Sequence, residues 1–212
     1  LNIKKIFIGV FFVFIFTFLT QYVSNATKYV IDDLMLEKYQ TIFGIVLMPA
    51  TLMSLCSQLI IQPFLVSINS KIANNNYKDF IKLVFKICCS IFVIGIFAEL
   101  CCYFLGIPVL KLLYGINLIE YLSSLLIIIA GSVLYGMSSV ISNALIALRK
   151  NKIQTFIYII ASVFTTVMSY FLIDKFQIFG ASLAYFLTML LILTLYLIVF
   201  FIECRRSINE KK

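Results

Sequence analysis

Runs free of charge set the pattern of this chain. Between Lys5 and Lys28, Lys38 and Lys71, Glu120 and Arg149, Lys152 and Asp174, and Lys175 and Glu203 there is no Asp, Glu, Lys or Arg. Each run can supply the roughly 20 apolar residues that cross a hydrocarbon core of about 30 Å. A further run, 80–105, is as apolar once past Lys82 and Lys86 and is broken only by Glu99. The pattern predicts an all-α, polytopic membrane protein with six transmembrane helices over 6–30, 40–69, 80–105, 118–148, 153–173 and 179–203, in a single unit covering 1–212. The connections are short: Asn74, Asn75 and Asn76 mark one turn, and Arg149, Lys150, Asn151 and Lys152 mark another, which leaves no room for a separate soluble domain.

Composition excludes the soluble alternative. With 63% hydrophobic and 12% charged residues and a mean hydropathy of +1.08, the chain has about half the charged content of a soluble domain. The net charge of +8 would suit nucleic acid, but its distribution follows the topology instead. When the gaps between spans are assigned alternately to two sides, only Lys28, Lys38, Lys111 and Lys175 of the 17 basic residues fall on one of them. Basic residues are retained on the cytoplasmic side, so both termini are expected inside, and no basic and aromatic face remains for a nucleic acid.

Within the spans, Pro49 and Pro63 each remove a backbone hydrogen bond and clash with the preceding turn, so the second helix should bend or break. Such breaks either line a cavity or are plain packing kinks. Polar residues fall in stripes. Thr51, Ser54, Gln58, Gln62 and Asn69 share one face of the second span, Ser132, Gly136, Ser139, Asn143 and Ala147 one face of the fourth, and Ser162, Thr166 and Ser169 one face of the fifth. For Ser, Gly and Ala the stripe suits close helix packing. The amides of Gln58, Gln62 and Asn143 need several partners each and suit a wet path. Asn25, Lys28 and Asp32 share a face near the outer end of the first helix; Lys28 either faces that path or snorkels to the headgroups beside Asp32. Glu99 is either an interfacial residue or, with Asp32, a candidate for coupling transport to an ion.

Five of the six cysteines, Cys56, Cys88, Cys89, Cys101 and Cys102, lie inside spans, and the sixth is Cys204. The adjacent pairs lack the spacing that lets two thiolates grip zinc, and the chain has no His, so the cysteines read as soft packing residues with no metal site. No catalytic constellation, cofactor motif or nucleotide-binding loop is present, so any energy from ATP would come from another chain. The first span is longer than a signal h-region and lacks a clear cleavage site, so it belongs to the mature protein. Residue 1 is Leu, which fits either a segment of a longer chain or a non-standard start.

The stretch Asn25-Ala26-Thr27-Lys28-Tyr29-Val30-Ile31-Asp32 resembles the Asn-Ala-Pro-Lys-Tyr-Ala-Ile-Asp of polysaccharide repeat-unit flippases, members of the multidrug, oligosaccharidyl-lipid and polysaccharide exporter superfamily. Further matches follow in the family's order at Met48-Pro49, Gln62-Pro63-Phe64-Leu65, Leu105-Gly106-Ile107-Pro108-Val109-Leu110, Leu113-Tyr114-Gly115 and Gly180-Ala181-Ser182-Leu183-Ala184-Tyr185. Two departures are Thr27, where the family usually has Pro, and Gln62, where relatives often carry a basic residue. The resemblance covers only the second of two six-helix lobes. It implies the C-terminal lobe of a MATE-like transporter fold in a bacterial plasma membrane, with an N-terminal lobe as partner. The implied function is translocation of an undecaprenyl-diphosphate-linked oligosaccharide, with no covalent chemistry, for O-antigen, capsule or exopolysaccharide synthesis. A drug or cation exporter of the same superfamily would share the fold and would favour acidic and aromatic cavity walls. A non-transporting membrane subunit is the third reading.

Overall fold

The computed structural model describes residues 3–74, 76–148 and 150–209, and among them there is helix and no strand. The helices are α1 (Ile3–Leu34), α2 (Glu37–Val46), α3 (Met48–Ile61), α4 (Leu65–Ala73), α5 (Tyr77–Cys101), α6 (Ile107–Tyr114), α7 (Leu122–Ala147) and α8 (Asn151–Asn209). Four continuous or jointed helical segments among the described residues are long and apolar enough to cross a membrane: Glu37–Ala73, Tyr77–Tyr114, Ile119–Ala147 and Lys152–Arg206. Arg149, Lys211 and Lys212 of the basic set lie outside the described residues, as do the side chains of Lys4 and Lys5.

The breaks have identifiable causes. Pro49 sits in the first turn of α3, so the helix stops at Val46 and restarts at Met48. Pro63 lies in a single 3₁₀ turn, Gln62–Phe64, between α3 and α4. The third run extends beyond its expected end at 105. Pro108 would clash with the carbonyl one turn back, and the chain opens into a π-turn over Cys102–Gly106 before continuing as α6. That helix ends at Gly115, which has φ 69° and donates its N–H to the Lys111 carbonyl.

Helix α8 is a hairpin. Its 59 residues are interrupted at Gln177, with φ 52° and ψ −130°. In a straight helix, residues 172 and 180 would lie about 12 Å apart. Instead, a Cβ added at Gly180 would stand 2.0 Å from the Leu172 carbonyl oxygen. The chain therefore folds back, giving a first arm over residues 151–176 and a second over 178–209.

Contacts give the directions of the remaining elements. Phe16 meets Tyr158 edge-to-face with ring centroids 5.2 Å apart, Tyr22 bonds Thr166 at 2.8 Å, and Tyr170 donates to Asp33 at 2.8 Å, so α1 and the first arm run parallel. Close approach fixes α7 at the centre: Gly95 of α5 lies against Val133, Gly131 against Tyr185 of the second arm, and Gly136 against Ser57 of α3 and Ile91 of α5.

One apolar cluster, including Ile31, Phe43, Leu125 and Ile178, fills the end of the bundle that carries Asp33 and Asp174. The other, including Ile68, Phe80, Ile141 and Phe200, fills the body towards the opposite end, where Lys150 pairs with Glu203 at 2.9 Å. Buried hydroxyls such as Ser132, Ser138 and Thr188 donate to carbonyls of their own helix, which lets them sit in apolar surroundings without a partner on another helix. Large apolar side chains cover much of the outside, among them Phe97 at 68% exposed and Phe156 at 61%. Such a surface is at home in lipid and would aggregate in water.

Candidate functional site

A hollow of about 220 Å³ opens between α1, α3, α7 and the second arm of α8. From α1 it receives Ser24, Asn25 and Lys28, and from α3 it receives Thr51, Ser54 and Gln58. Tyr135 of α7, with Tyr185 and Met189 of α8, closes the back. The helical period makes the site: residues 51, 54 and 58 return to one face of α3 over about 10 Å, as 24, 25 and 28 do on α1.

Hydrogen bonds within the helices decide what the hollow offers a ligand. The hydroxyls of Ser24, Thr51 and Ser54 donate to the carbonyls of Thr20, Met48 and Thr51 at 2.9, 2.7 and 2.7 Å. Asn25 uses one amide N–H on the Gln21 carbonyl at 3.0 Å. Those N–H and O–H groups are spent, and Asn25 keeps its second amide N–H. Among the described residues no hydrogen bond or ion pair occupies the Lys28 ammonium or the Gln58 amide, and Lys28 makes no ion pair with Asp32. The uncommitted donors are therefore led by one cation, and no carboxylate lines the wall. Such a wall suits a ligand rich in acceptor oxygens and negative charge.

Comparison with protein-family models, curated proteins and solved structures finds no match.

Three of the residues singled out from sequence, Asn25, Lys28 and Gln58, line this hollow. The others do not. Asp32 is exposed beyond the rim, one turn past Lys28, while its neighbour Asp33 accepts the Tyr170 hydroxyl. Gln62 is exposed and stands at the 3₁₀ turn, outside the lining. Asn143 lies elsewhere on α7, donating to the Ser139 carbonyl at 2.8 Å. Of its stripe, Ser132 and Gly136 are buried, Gly136 against Ser57 and Ile91, while Ser139, Asn143 and Ala147 are half-buried. Glu99 is half-buried just before the π-turn and lines neither this hollow nor the acidic one around Asp33 and Asp174.

Sequence reasoning missed Tyr135 and Tyr185. Tyrosine counts as apolar in a periodicity reading, so neither residue stands out in one. The signal available was the amphipathic character of Tyr itself, whose hydroxyl needs a partner when buried.

Proposed function

We propose that this chain is one lobe of a membrane flippase that moves a lipid-linked, diphosphate-bearing oligosaccharide across the bilayer. The observation that carries the reading is the hollow in which an unpaired Lys28 and the Gln58 amide face outward from a wall without carboxylates. Shielding an anion and a glycan from hydrocarbon requires such donors at membrane depth. The absence of acidic groups from the lining favours this substrate over a drug or metal cation.

In this reading there are six passages: α1, the jointed α2–α4, the jointed α5–α6, α7 and the two arms of α8. Both termini are cytoplasmic, on the side of Lys150, Arg205 and Arg206, in the plasma membrane. The multidrug-exporter lobe architecture is part of the same proposal, supported by the motif resemblance at residues 25–32 and by helix breaks at Pro49 and Pro63.

The need for a second lobe comes from exposure. Thr51, Gln58, Gln62 and Asn69 are all exposed along α3 and α4, and amides facing lipid would be left without partners. They are accounted for if this flank faces a water-filled path shared with another lobe. Alternating access then comes from rocking of one lobe against the other.

The test is complementation in a bacterial strain lacking its own flippase. Co-expression of the chain with a matching N-terminal lobe is expected to restore surface polysaccharide, and the chain alone is expected to insert without restoring it. Full restoration by the chain alone would replace the two-lobe arrangement with a homodimer, and failure in every pairing with a functional lobe would refute the transport reading.

A further inference from the structure

The polar hollow adjoins an apolar one. Thr51 lines both, and on its far side a second hollow of about 360 Å³ lies between α3 and the π-turn and α6. Its lining includes Leu52, Leu105, Val109 and Leu113 and contains no charged side chain. The Thr51 hydroxyl is already donated to the Met48 carbonyl at 2.7 Å, so it makes no demand on what fills the groove.

Two helix irregularities face each other across this groove. On one side α3 begins afresh at Met48, where Pro49 has broken the segment. On the other, the π-turn sets α6 off from α5, and Gly106 lies so close to α7 that an added Cβ would stand 2.8 Å from Leu125. A pair of regular helices would close by ridge-into-groove packing. Here the π-turn packs against α7 at Gly106, and a gap to α3 persists.

We propose that the groove holds the carrier-proximal part of a polyprenyl chain whose diphosphate sits at Lys28 and Gln58. The inference rests on the anion-binding reading of the polar hollow and adds the place of the tail. Continuity and charge select the occupant. A free sugar phosphate would satisfy Lys28 and leave the groove to bulk lipid, and a neutral lipid would fill the groove and leave Lys28 unpaired. A lipid with an anionic head satisfies both at once, and the diphosphate-linked carrier of the proposed function is the lipid of that kind the site is argued to take.

The groove contributes selectivity more than affinity. The tail is already in hydrocarbon, so entering the groove gains packing contacts and little hydrophobic transfer energy. Filling the groove should therefore weaken binding by about fivefold, not abolish it.

The experiment uses the full chain in phosphatidylcholine nanodiscs and a polyprenyl diphosphate carrying a diazirine in its first isoprene units. Photolabel is expected on residues 48–52 and 105–113. Val109→Trp, which fills the groove, is expected to move the label elsewhere and weaken the probe about fivefold while leaving inorganic diphosphate binding unchanged; Val109→Ala should keep the label. Should Val109→Trp disturb folding, judged by circular dichroism and elution volume, Leu113→Trp serves the same purpose. Label that stays on other helices, or is indifferent to both Trp variants, overturns the groove assignment; if Lys28→Glu still weakens the probe in that case, the proposed function stands without it. Loss of any Lys28→Glu effect refutes the anion-binding reading underneath. Equal competition by phosphatidylglycerol overturns the polyprenyl occupant in favour of ordinary membrane lipid.

Discussion

Lys28 is half-buried on α1, with Asn25 one turn below it and Gln58 across the hollow. A half-buried lysine without an ion pair is costly unless something anionic or wet meets it, and Asp32 does not. If it holds a diphosphate, it does so as a compact, mobile cation whose three N–H groups adjust to the anion, whereas Arg would bring a planar fork of fixed geometry. Lipid-linked oligosaccharide flipping, measured in an assembled two-lobe transporter at equal insertion, should fall by more than about tenfold in Lys28→Ala and Lys28→Glu, a loss of about 1.4 kcal/mol or more. Lys28→Arg should be intermediate. Near-normal flipping by Lys28→Glu would leave only an anchoring role. Part of this site was legible in the order of residues: the i, i+3, i+7 recurrence of Thr51, Ser54 and Gln58 marks a face of α3, and the Asn25–Lys28 spacing marks a face of α1. What the order could not tell was which polar stripe faces the hollow. Asn143 and its stripe have the same small-polar signature, yet at Gly136 that face meets Ser57 and Ile91, and Asn143 itself is not among the residues that line the hollow.

Among the elements, the breaks at Pro49 and Pro63 followed directly from proline's missing donor. Two other features did not. The π-turn replaces a helix end expected at 105, because Gly106 and Pro108 resemble a stop signal while the widened turn lets the helix pass and continue to Tyr114. The reversal inside α8 carries neither Gly nor Pro at its centre. Gln177 adopts a positive φ that L side chains rarely take, and the strain is of order 1–3 kcal/mol. Gln177→Gly should remove most of it and, after the added freedom of the unfolded chain, stabilise the protein by about 1 kcal/mol. Three residues on, Gly180→Ala should do the opposite. Its methyl would meet the Leu172 carbonyl, a backbone group with no rotamer to escape into, and the loss should reach at least about 2 kcal/mol. Thermal unfolding in detergent checks both; a neutral Gly180→Ala would mean that the two arms do not approach each other so closely.

For the whole molecule, the distribution of charge and the arrangement of helices make the same demand. Lys150 binds Glu203 at one end of the bundle, close to Arg205 and Arg206, and Phe80 packs against Phe200 there, which brings the start of α5 with Lys78 to the same end. Asp33, Asp174 and Gln177 gather around a hollow at the other. If basic residues are held in the cytoplasm by the rule that orients spans, the first end is inside and the hairpin of α8 points outward. Single cysteines at Lys78 and Asp174 test this, because both positions are exposed and lie at opposite ends. In a background freed of native thiols, a membrane-impermeant maleimide added to intact cells should label the Asp174→Cys protein and spare the Lys78→Cys protein, with both labelled once the membrane is opened. The reverse pattern would invert the orientation and put Lys28 near the wrong leaflet for releasing a substrate outward. Labelling of both in intact cells would mean that the two ends do not lie on opposite sides of one bilayer, and the six-passage reading would fall with it.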